Sequence, residues 1–85
     1  MKKKFIESTK AERVIQILQQ GEKLGNRYTK GFDIVLFLLD DFFTELWYHE
    51  NTPSIVKAKI IENEVVLKLY PDLVELSRIN MLITK

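Results

Sequence analysis

The run from Gly31 to Glu50, GFDIVLFLLDDFFTELWYHE, constrains the fold more than any other segment. It holds six of the nine aromatic residues and five acids, with no Lys or Arg. β-Branched and aromatic residues crowd both sides of Asp40-Asp41, a pair suited to a tight turn, so the run reads as strand, turn, strand. A two-residue turn there sets Leu39 opposite Phe42 and Leu36 opposite Glu45. One face then carries Phe32, Ile34, Leu36, Leu38, Phe43 and Trp47. A third strand from Ile55 to Ile61, pairing across Asn51-Thr52-Pro53-Ser54, adds Val56, Ala58 and Ile60 to this predicted core face. The other face carries Val35, Phe37, Leu39, Phe42, Leu46 and Tyr48 beside Asp33, Thr44, Lys57 and Lys59, and is predicted to be mixed and partly exposed. A one-residue slip would exchange the two sets. A helical reading of 32–48 also exists, because Asp33, Asp40, Asp41 and Thr44 would share one side of a helix.

On either side of the hairpin the pattern turns helical. Thr9-Lys10-Ala11-Glu12 has the form of a capping box, in which the Thr side chain accepts from the third helical amide and the Glu returns to the Thr amide. Val14, Ile17, Leu18, Gly21 and Leu24 follow at three- and four-residue steps, and Ile15 widens the stripe enough to face a core. Gly25 supplies a stop, and 25–31 reads as a polar connection. Gly21 inside such a helix costs about 1 kcal/mol relative to Ala, which marks either close backbone packing or an early end. After Ile61, Val66, Leu69, Tyr70 and Leu73 recur at helical steps, with Glu62 or Asn63 as the start. Pro71 disfavours a helical Tyr70, and Asp72-x-x-Glu75 could cap a second piece reaching Leu76, Ile79 and Leu82. The rival is a fourth strand over 65–70. The predicted class is α+β: an N-terminal helix, a three-stranded antiparallel meander and a C-terminal helix broken near Pro71, in one domain spanning 1–85.

A chain of 85 residues buries only about 60% of the surface its unfolded form exposes, which leaves room for one core. With 46% hydrophobic and 29% charged residues, the composition is that of an ordinary globular domain. The lack of Cys excludes disulfides and thiolate zinc sites and fits a reducing compartment, so a cytoplasmic location is predicted. Met1-Lys2-Lys3-Lys4 resembles the start of a signal peptide, but only Phe5 and Ile6 precede Glu7, so no apolar region follows it. The uncharged run Ile34 to Leu39 is far short of the roughly 20 residues that span a bilayer. The net charge of +1 hides a split: residues 1–30 carry +5 and residues 31–56 carry −5. The plain reading is a basic helix set against an acidic hairpin within one fold.

Phe42-Phe43-Thr44-Glu45-Leu46-Trp47-Tyr48, preceded by Leu38-Leu39-Asp40-Asp41 and followed by Leu69-Tyr70 and Leu76-Ser77, resembles a group of short uncharacterised bacterial proteins. The resemblance spans most of the chain and implies the order helix, three antiparallel strands, helix. Pro71 departs from it, standing where an aliphatic residue is expected. No activity, cofactor or binding residue comes with the resemblance.

Residues able to carry chemistry are few. His49 is the single histidine, which rules out sites built from several His, and it reads as an exposed residue at a strand end. Glu45 and His49, four residues apart on a strand, would stand over about 13 Å apart, too far to work as a pair. Glu45 falls among Leu36, Trp47 and Ile60, where a carboxylate needs a partner; Arg13, Arg27 and the N-terminal lysines are the candidates, and a functional carboxylate with a raised pKa is the sharper alternative. Asp40 and Asp41 are turn residues rather than a calcium loop. No catalytic constellation, metal site or cofactor motif is present, so the chain is predicted not to be an enzyme. The leading function is a non-catalytic protein-protein interaction or homodimerisation module using Val35, Phe37, Leu39, Phe42, Leu46 and Tyr48. The alternative is a nucleic-acid accessory protein using Lys2, Lys3, Lys4, Lys10, Arg13, Lys23, Arg27 and Lys30. Against it, the aromatics lie in the acidic block rather than among the bases, the reverse of a stacking platform.

Overall fold

Four residues with left-handed backbone mark three turns in the middle of the chain. Lys30 and Gly31 (φ 46° and 87°) make the first turn, Asp40 (φ 58°) the second, and Asn51 (φ 63°) lies in the third. Between them the computed structural model, which describes residues 2–75, places an antiparallel meander of four strands. These are β1 (Glu22–Thr29), β2 (Phe32–Leu39), β3 (Phe42–His49) and β4 (Ile55–Ile61), in sheet order 1-2-3-4. Two helices precede the sheet, α1 (Lys2–Glu7) and α2 (Lys10–Gln20); α3 (Asn63–Leu69) and a 3-10 helix (Pro71–Glu75) follow it. The α+β class and the antiparallel sheet agree with the sequence reading. The segment containing Leu76, Ile79 and Leu82 lies outside the described residues.

The local signals work as their chemistry predicts. Thr9 caps α2, its Oγ accepting from the Glu12 amide at 3.2 Å while the Glu12 carboxylate accepts from the Thr9 amide at 2.8 Å. The Asp40-Asp41 turn gives the predicted register, Leu39 opposite Phe42 and Leu36 opposite Glu45. Glu62 stands at the N-cap of α3 by position, without a capping hydrogen bond from its side chain, and the helix stops at Leu69, before Pro71. The hairpin reading of 32–48 therefore holds, and 63–69 is helix rather than strand.

Two expectations fail for physical reasons. The periodicity predicts a helix reaching Leu24 and a polar connection over 25–31, whereas α2 ends at Gln20 and a further strand, β1, fills 22–29. The sheet therefore has four strands, not three. Gly21 is the junction: its amide donates to Ile17 O at 2.8 Å, and a Cβ there would lie 2.5 Å from that oxygen and 3.3 Å from Phe37. Its backbone is extended, so the early end and the close packing are one feature. The second failure concerns β4. Trp47 pairs with Lys57 but Tyr48 with Ile55, which leaves Val56 as a one-residue bulge. The bulge inverts the expected faces of β4. Lys57 and Lys59 stand beside Trp47 and Glu45, while Ala58 and Ile60 join Leu46 and Thr44 on the other side.

The sheet is thus covered on both faces. Against α1 and α2 lie Leu39, Phe42, Leu46 and Ala58, packed with Phe5 and Ile17. Against α3 lie Leu36, Leu38, Phe43 and Ile61, packed with Val66 and Tyr70. A helix of six residues does not persist in water alone, and α1 is held by its neighbours. Phe5 is fully buried and meets Phe42 edge-on at 5.7 Å. Arg13 donates to Phe5 O, Ile6 O and Ala58 O at 2.9, 2.8 and 3.2 Å, fastening the carbonyl end of α1 to α2 and β4.

Candidate functional site

The end of the α3 face that holds Glu45 is the most highly organised polar region. Glu45 faces inward from the middle of β3 and is fully buried. Arg27 on β1 brings Nε to 3.1 Å of Oε2 and Nη2 to 3.3 Å of Oε1, a two-pronged pairing across the sheet. Trp47 Nε1 donates to Oε1 at 3.0 Å, and the Tyr70 hydroxyl, reaching down from the end of α3, donates to Oε2 at 2.7 Å. Each carboxylate oxygen thus accepts two hydrogen bonds.

The electrostatics follow from that geometry. Burial pushes the Glu45 carboxyl up, but the hydrogen bonds from Arg27, Tyr70 and Trp47 outweigh it and hold the group below the usual carboxylate range. Burial and the neighbouring carboxylate together raise the Tyr70 phenol well above its ordinary value. Arg27, though partly desolvated, is held more firmly charged by Glu45. Of the cations the sequence offers, Arg27 is the partner; Arg13 is committed to backbone carbonyls. A carboxylate held ionised and saturated by donors is a structural ion, not a general acid or base.

Beyond Glu45 the same face opens outward around Trp47. The Arg27 guanidinium lies 5.3 Å from the Trp47 ring centre, Lys57 Nζ 4.4 Å and Lys59 Nζ 5.0 Å. Phe32 sits 5.5 Å from Trp47 and stacks on His49 at 5.3 Å, with 27° between the Phe32 and His49 planes. His49 is exposed at the end of β3, as the sequence predicts. Among the described residues, no group of three or more His, Cys, Asp or Glu could hold a metal ion.

The predicted interaction face is largely interior. Leu39, Phe42 and Leu46 are buried beneath α1 and α2; Val35, Phe37 and Tyr48 are partly buried, with Phe37 and Tyr48 packed against the same cluster. The sequence shows a face as apolar but not which helices cover it. Large apolar side chains are exposed elsewhere, among them Ile15 and Leu18 on the outside of α2, 53% and 56% exposed. Both residues were expected to face the core. Ala11, Ile15 and Leu18, spaced i, i+4 and i+7, form a second stripe beside Val14 and Ile17, and that spacing is the sequence signal for it. Lys57 and Lys59 had no such signal, because the bulge alone sets their face.

Among the described residues no helix is long and apolar enough to cross a membrane. The chain matches no protein-family model, no curated protein and no solved structure.

Proposed function

We propose that the chain is a non-catalytic interaction module that pairs with a second copy of itself through the outer face of α2. The observation that carries this reading is the exposure of Ile15 and Leu18, one turn apart on a helix whose opposite side already fills the core. Two α2 helices packed antiparallel about an axis between these residues would set each Ile15 against a Leu18 of the second copy, the self-complementary arrangement of a two-fold dimer. Beside Ile15 a groove of about 250 Å³, bordered by Lys4, Glu12 and Gln19, offers a seat for the incoming side chain and a polar rim around it. The non-catalytic half of the reading is supported by Glu45, whose oxygens are engaged by four donor atoms and closed to solvent.

Light scattering after size exclusion tests the pairing. The wild type is expected at twice the chain mass. Ile15→Glu with Leu18→Glu is expected at the chain mass with an unchanged circular dichroism spectrum, because neither side chain supports the core. A wild type that remains monomeric as its concentration is raised removes the proposal.

A further inference from the structure

Within the sheet, Asp33 and the lysines of β4 fall on opposite faces. On the α2 side, Tyr28, Asp33 and Tyr48 stand in one cross-strand row, and Glu50 beside Tyr28, with a smaller contribution from Asp33, raises its phenol. On the opposite side are Lys57, beside Trp47, and Lys59, beside Glu45; Lys30 lies in the turn between β1 and β2, two residues before Phe32. All three lysines are exposed, and among the described residues no ion pair engages them. Glu45, which shares their face, is fully buried and already neutralised by Arg27. Phe32, Trp47 and His49 are interleaved with these cations. In the sequence the aromatics lie apart from the bases; the bulge at Val56 brings them together.

We infer that this open end of the α3 face binds single-stranded nucleic acid, with bases stacking on the Phe32–His49 pair and against Trp47, and phosphates meeting Lys30, Lys57 and Lys59. Three features support this occupant, and the first favours it over an acidic polypeptide. The Phe32, Trp47 and His49 rings share one face of the sheet, and aromatic side chains stack on bases whereas a carboxylate chain has no use for them. Lys57 and Lys59 are two residues apart on one strand, about 7 Å along it, so they address successive anionic groups. The helix that covers this side, α3, packs over Leu36, Leu38, Phe43 and Ile61 at the other end of the face. The site lies across the sheet from α2 and does not depend on the pairing proposed above.

Trp47 is the single tryptophan, so its fluorescence reports this surface directly. Titration of the full chain with an unlabelled twelve-nucleotide RNA of mixed sequence, starting at about 50 mM salt, is expected to give saturable quenching. Three phosphate contacts predict a slope of log K on log salt near −2 for a single strand. Lys57→Ala with Lys59→Ala is expected to reduce that slope by about 1.4. His49→Ala is expected to weaken binding about fivefold or more with the slope unchanged. The Ile15→Glu, Leu18→Glu variant is expected to bind as tightly per chain as the wild type, so failure of the pairing and failure of this site are distinguishable. The inference is overturned by absence of binding, by equal affinity for polyglutamate, or by binding that leaves Trp47 unquenched and is lost on Lys2→Ala, Lys3→Ala, Lys4→Ala instead.

Discussion

Against α2 the sheet buries Leu39, Phe42, Leu46 and Ala58 with Phe5 and Ile17, and the buried Thr44 hydroxyl donates to Phe37 O. Against α3 an apolar cluster of similar make-up stops at Glu45, and a carboxylate with Arg27, Trp47 and Tyr70 takes over. The first side is held by apolar burial, which is non-directional and largely indifferent to pH. The second adds direction. Glu45 ties β1, β3 and the end of α3 to one geometry, because each of its donors has a single place to stand. Charged networks of this kind gain little net stability over an apolar core, yet cost a great deal when one partner is removed. The two sides should therefore respond differently to acid and to truncation.

The largest effect is expected on the apolar side. Phe42→Ala should destabilise by about 3–5 kcal/mol, since it removes a buried ring and the edge contact with Phe5. Denaturant melts at pH 7 and pH 4 should show the same loss. Arg27→Ala should cost about 3 kcal/mol at pH 7, the lower end for breaking a buried pair, because Trp47 and Tyr70 still donate to Glu45. Here pH matters. The folded carboxyl of Glu45 is depressed, so its stabilisation is complete above the unfolded pKa of about 4.3 and is lost as pH falls through the folded value. The gap between Arg27→Ala and wild type should therefore narrow below about pH 4, while that of Phe42→Ala stays constant. A constant gap for both would abolish the distinction between the two sides.

Tyr70→Phe removes one of two donors to Glu45 Oε2 and should cost about 1–3 kcal/mol. Hydrogen exchange should locate the loss in α3 and leave α2 protected. The smallest effect belongs to the helix cap: Thr9→Ala should cost about 1 kcal/mol and loosen the first turn of α2 without changing exchange in α3. Equal loosening of both helices would mean that the two sides open as one unit.

Both the success and the failure of the sequence reading have identifiable physical causes. The capping box at Thr9, the Asp40-Asp41 turn with its register, the start at Glu62 and the break before Pro71 are each encoded within a few neighbouring residues. Glu45 was legible as a buried acid needing a cation, because register alone places it among apolar residues. Its choice of Arg27 over Arg13 was not, since that depends on β1, a strand hidden inside an apparent continuation of the helix periodicity. Gly21 was the clue to β1, and it carries two meanings that only packing against Phe37 resolves.

The sequence by itself determined where α2 and α3 begin, the turn at Asp40-Asp41 and how β2 pairs with β3, because caps and turns are short-range and each involves its own few dihedral angles. The tertiary structure decided what each face meets. Along a strand the side-chain period is two, so the single extra residue at Val56 inverts β4 and carries Lys57 and Lys59 to the side of Trp47. Whether a greasy face is core or surface depends on helices that arrive from elsewhere in the chain. For that reason the run from Phe37 to Tyr48 is largely interior, while Ile15 and Leu18, which the helical periodicity assigns to the core, are exposed.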